Sequence, residues 1–214
     1  PPHSAIVTFT LPSCNPSPTP AATCAQGGTC VVGDTGPGGG IVFYVHSDAD
    51  NLFTSTGSDC GTRCKYLEAA SSDASSGIVV ATSASACYTS GADDGNQNCQ
   101  LDRSFYSNTE GQSASRTDAA LLGRGMANTN KIYARLTTTG GAATGDYGAG
   151  LAWAYSNNGK TDWHLPSTQE LNELCKYARQ QTTGDTAVAC ASSGSLRAGF
   201  SADYYWTSSE QYDV

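Results

Sequence analysis

Positive charge is scarce in this chain, whose 214 residues carry 11 Lys and Arg against 19 Asp and Glu, a net charge of −8. Nucleic-acid binding needs a basic stripe to neutralise phosphates, so nucleic acid is excluded as a partner. No run of about 18 apolar residues occurs, so direct insertion into a membrane is not expected. No C-x-x-C occurs, and His3, His46 and His164 lie far from most cysteines, which argues against a zinc site. The chain opens on Pro1 instead of Met, as expected where a signal peptide has been removed.

Glycine is plentiful, and "GDTGPGGGIVFYV" (Gly33 to Val45) raises the question of a phosphate loop. A P-loop requires Lys and Ser/Thr after its last glycine, whereas Gly40 is followed by Ile41 and Val42. A dinucleotide fingerprint requires the strand before the glycines, and here it follows them. A collagen repeat fails as well, because Gly38, Gly39 and Gly40 destroy the triplet period. What remains is a turn feeding a strand over Ile41–Val45. Further strands are expected at Lys65–Ala69 and Ile78–Thr82.

Eight of the nine cysteines form close sequential pairs: Cys24 with Cys30, Cys60 with Cys64, Cys87 with Cys99, and Cys175 with Cys190. Local pairs in Gly/Ser/Asn-rich surroundings predict disulfide staples made in an oxidising compartment. Cys14 is left over, with its partner expected upstream of this chain. Residues 1–32 read as the end of a preceding domain plus a Pro/Ser/Thr linker, and 33–214 as one α+β domain, the folded module starting near Cys24 or Gly33.

Three helices are predicted. Leu122, Met126, Thr129, Tyr133 and Leu136 recur at helical spacing, with Gly123 and Gly125 delaying the regular helix to about Met126. Ser167 and Glu170 form a capping box for a second, whose apolar face is Leu171, Leu174, Cys175 and Ala178. A shorter helix is expected over Tyr147–Tyr155.

Candidate chemistry is thin. Ala92–Asn98 offers oxygen ligands of the kind calcium takes but lacks EF-hand spacing, so a polar disulfide loop is preferred and no metal or other cofactor is expected. His164 has no evident nucleophile or orienting acid and reads as a strand residue, which leaves no catalytic residue. Tyr204, Tyr205 and Trp206 form an aromatic cluster suited to stacking on sugars or anchoring an interface. Strand alternation would place at least one of the three in the core.

Five segments, "GDTGPGGGIVFYV", "YLEAASSD", "GMANTNKIYA", "WHLPSTQELNEL" and "YYWTSSE", follow one another in this order. Together they resemble the bacterial domain family named for the C-terminal region of the Legionella collagen-like protein, Lcl. The "LPS-x-x-E-L" run also resembles the formylglycine-generating enzyme family and retroelement-diversified receptor proteins. The resemblance implies a C-type-lectin-like fold and a non-enzymatic adhesive role at a cell or virion surface, binding glycan or protein. Trp206, Tyr205 and Trp163 are the contact candidates. Fibre neighbours or further copies of the chain are the alternative partners, and an enzyme on the same fold is a third reading. Family members continue into further strands past the last motif, so the C-terminal strands are expected beyond Val214. The "EPN" and "WND" signatures of calcium-dependent lectins do not occur.

Overall fold

The computed structural model describes residues 21–48, 52–78, 119–139 and 141–209. The Cys87–Cys99 pair, the Ala92–Asn98 cluster, Cys14 and nearly all of the strand expected at Ile78–Thr82 lie outside them; Ile78 itself is described and is not in a strand. Two strands, β1 (Ile41–Val45) and β2 (Tyr66–Ala69), form an antiparallel pair. β-branched and aromatic residues suit β1 to a pleated surface covered on both sides. Its register slips between Val42 and Tyr44. Such a bulge turns two consecutive residues toward one side. Phe43 and Tyr44 both enter the core with Phe53, Leu67 and Tyr177, while Val42 packs on the Cys24–Cys30 disulfide. The Cys24–Cys30 disulfide is thus packed against β1 through Val42.

Gly33 to Gly40 form the expected turn. Gly33 and Gly39 take positive φ angles of 99° and 76°, and Gly36 N–H donates to Gly40 O at 3.0 Å. The loop does bind an anion, but one of this chain's own: Gly38 and Gly40 N–H both donate to the Glu68 carboxylate, at 3.1 to 3.2 Å.

Helix α1 (Gly125–Tyr133) continues into a π-helical turn, Ala134–Thr139, and α2 (Gly148–Ala154) packs on it. Met126, Thr129 and Leu136 of the predicted stripe are buried. Ile132 takes the core place expected for Tyr133, whose ring instead stacks on Trp153 at a centroid distance of 3.6 Å. Helix α3 (Thr168–Ala178) packs on β1, and Ser167 and Glu170 form the predicted capping box.

The inward face of α3 is only partly the predicted one: Ala178 is buried and Leu174 packs on the Phe43–Tyr44–Tyr177 cluster, but most of the fully buried residues are others. Glu170, Glu173, Lys176, Tyr177 and Ala178 are buried, whereas Leu171, Leu174 and Cys175 are only half-buried. The reason is partnership: Lys176 Nζ donates to Glu173 Oε1 at 2.7 Å and to Asp185 O, and Gly184 N–H donates to Glu173 Oε2 at 2.7 Å. Disulfides join Cys24 to Cys30, Cys60 to Cys64, and Cys175 to Cys190 as predicted. The chain is thus an α+β, disulfide-stapled unit. Among the described residues no helix is long and apolar enough to cross a membrane.

Candidate functional site

Residues 161–167 run without regular structure into the cap of α3. His164, predicted in a strand, instead turns its Nε2 toward Glu170 Oε2 at 3.3 Å, while Nδ1 lies 3.2 Å from Asp162 O. Glu170 is buried and accepts N–H groups from Gly123, Gly125 and Ser167. A Cβ on Gly125 would collide with His164 and Glu170, so the glycine that weakens the start of α1 is what admits the pair. Burial disfavours charged His164, but the charge and hydrogen bond of Glu170 outweigh it and raise its pKa above the ordinary value. Burial likewise opposes ionised Glu170, and His164 with the backbone donors brings its pKa below the ordinary range.

This seam reaches forward to the C-terminal motif. Ser208 N–H donates to Pro166 O at 2.7 Å, and Asn128 Nδ2 to Ser208 Oγ at 3.2 Å. Ser209 Oγ accepts from Thr168 N–H at 2.9 Å and donates to Ala119 O at 2.8 Å. Upstream, Phe200 packs edge-on to Tyr177 with ring centroids 6.0 Å apart. Residues 201–206 therefore span two anchored ends.

Between those ends the aromatics are displayed. The segment forms no strand, so the alternation that would have buried one ring does not apply. Tyr204 is fully exposed, Tyr205 38% exposed and Trp206 51% exposed. Trp206 is fixed by its own polar handle, since Nε1–H donates to Ile78 O at 2.7 Å. Tyr205 OH lies 3.3 Å from Ser201 Oγ. One edge of the indole is tied down, and about half of the residue remains exposed.

Trp163 stands elsewhere. It is half-buried, meets Tyr155 edge-on at 5.2 Å, and lies where side chains on Gly38 or Gly40 would collide with it. Its buried Nε1 has no hydrogen-bond partner among the described residues. Trp163 thus backs the glycine turn, and Trp206 and Tyr205 carry the exposed surface.

Sequence reasoning missed two features of this region. One is the acid facing His164, although the capping-box Glu170 lies only six residues on. The other is the exposure of Tyr204. Among the described residues no three His, Cys, Asp or Glu side chains converge as metal ligands would. No protein-family model, curated protein or solved structure matches the chain.

Proposed function

We propose that this chain is an extracellular, non-enzymatic recognition module that binds glycan through Trp206 and Tyr205, on a C-type-lectin-like domain of the Lcl C-terminal type. The observation that carries the reading is an exposed indole held by a hydrogen bond on its edge, beside two exposed tyrosines. Such a ring is prepaid in orientation and offers an apolar face to the C–H side of a sugar. The segments joined by that hydrogen bond carry exposed serines, Ser75, Ser76 and Ser201 among them, a composition closer to sugar hydroxyls than to a dry protein interface. Two segments of the resemblance, the one that contains Pro166 and Thr168 and the one that contains Ser208 and Ser209, are joined by hydrogen bonds. Three disulfides suit an oxidising, extracellular setting.

The enzyme reading has one observation to answer, the His164–Glu170 pair. Three backbone N–H groups and one imidazole already occupy that buried carboxylate, which suits a structural clamp better than a proton shuttle. The experiment is a glycan array with the full chain and its Trp206→Ala variant. Selective binding lost in the variant supports the proposal. A blank array turns the surface into a contact for protein neighbours, as in a fibre.

A further inference from the structure

The hydrogen bond from Trp206 to Ile78 brings together two exposed segments, residues 71–78 and 200–206. Their combined chemistry is one-sided. Ser71, Ser72, Ser75, Ser76 and Ser201 supply hydroxyls, and the charged residues are Asp73 and Asp203, both exposed and both negative. Arg197 is the cation closest in sequence, and it is engaged inward: Nε donates to Tyr177 O at 2.8 Å and the guanidinium lies 4.5 Å from the Tyr177 ring centre. Lys160 is paired with Asp59, Lys176 with Glu173, and Arg179 with Ser192 O.

We infer that this surface takes an uncharged glycan and discriminates against sulfated or carboxylated ones, with Asp73 and Asp203 as the discriminating residues. The inference rests on the glycan reading above and assigns the ligand's charge. Stacking of sugar C–H groups on Trp206 and Tyr205 needs no charge, and serine hydroxyls exchange hydrogen bonds with sugar hydroxyls. A sulfate seated there would meet the carboxylates of Asp73 and Asp203 and, within these two segments, no cation to neutralise it. Exposed charges act over about 8 Å at physiological ionic strength, so a carboxylate within that distance of the rings acts on a ligand stacked there. Specificity of this kind comes from a repulsive element built beside the attractive one. A cationic ligand would be drawn by the same aspartates. Among the described residues, however, Tyr204, Tyr205 and Trp206 make no ring–ring contact with one another and form no ammonium cage.

The test uses the full chain against lactosamine and chito-oligosaccharides, beside sulfated lactosamine, heparin oligosaccharides and the amine-bearing chitosan series. Neutral ligands are expected to bind tightest, with the margin over sulfated forms shrinking as salt rises from about 0.01 M to about 1 M. The double variant Asp73→Asn, Asp203→Asn should tighten binding of sulfated ligands by about threefold and leave neutral binding unchanged. Tighter binding of a sulfated or amine-bearing ligand to the native chain overturns the inference while leaving glycan recognition standing. Equal response of neutral and sulfated ligands to the double variant overturns it too. Absence of binding to every series, with the fold intact by disulfide content and circular dichroism, refutes glycan recognition itself.

Discussion

Helix α3 and the 204–206 segment sort their side chains in opposite ways. The helix sends Glu170, Glu173 and Lys176 inward, each no more than 2% exposed, while the segment turns two tyrosines and a tryptophan to solvent. Hydrophobicity alone predicts the reverse. The difference teaches that burial here follows partnership. Every buried charge on α3 faces donors or acceptors supplied by later or earlier loops, so the desolvation cost is offset. The aromatics are exposed, and their backbone is held upstream by Phe200 against Tyr177 and downstream by the hydrogen bonds of Ser208 and Ser209.

Removing one buried partner is the strongest way to break that comparison. Lys176→Ala leaves the buried Glu173 carboxyl without its ammonium partner and strips Asp185 O of its donor. A loss of about 3–5 kcal/mol is expected in urea or guanidinium unfolding. A loss under about 1 kcal/mol would show that α3 does not depend on the pair. Exchanging both residues for apolar ones is no remedy, because Gly184 N–H and Asp185 O would then be stranded as well.

The disulfides come next in size. Cys175–Cys190 spans 15 residues and ties α3 to the loop that supplies its carbonyl and amide partners. Replacing both cysteines with serine should cost about 3 kcal/mol, against about 2 kcal/mol for Cys60–Cys64, which spans 4. The order of the two thermal midpoints is the readout, and a reversed order would contradict the chain-entropy account.

Changing pH probes the same seam without a mutation. The depressed pKa of Glu170 means that its contribution is present above its ordinary value of 4.5 and is lost as pH falls through the lower folded value. The raised pKa of His164 works oppositely, with its contribution complete below 6.5 and lost as pH rises through the higher folded value. Stability contributed by the pair is therefore complete between 4.5 and 6.5 and declines on both sides. His164→Gln should flatten the alkaline decline in denaturant midpoints measured from pH 6.5 upward. An unchanged profile would remove His164 from the clamp.

What was legible in the sequence was what is encoded locally. The capping box at Ser167 and Glu170, the glycine turn before β1 and the three disulfides each need only neighbours within a few to fifteen residues. The inward face of α3 was partly misread because the partners of Glu173 and Lys176, at Gly184 and Asp185, lie past the helix end, where no periodicity reports them. The C-terminal motif was legible as aromatic but not as exposed. Its anchors, Ser208 on Pro166 and Ser209 on Ala119, are separated by 42 and 90 residues. Strand alternation was the wrong period for a segment that pairs with no strand.

The smallest expected effect is the one that sharpens the comparison most. Trp206→Ala deletes the largest exposed side chain of the segment and one hydrogen bond to Ile78 O. The ring forms no part of the buried clusters but is about half covered and gives up a hydrogen bond, so the cost to stability should be about 1 kcal/mol. If recognition runs through this surface, the same change should abolish binding, separating function from fold at one residue. Lys176→Ala should do the converse, lowering stability while the fraction still folded keeps its affinity. A large stability loss in the Trp206 variant would make the indole a structural plug joining residues 71–78 to the C-terminal segment. The display of aromatics would then be a consequence of packing and not its purpose.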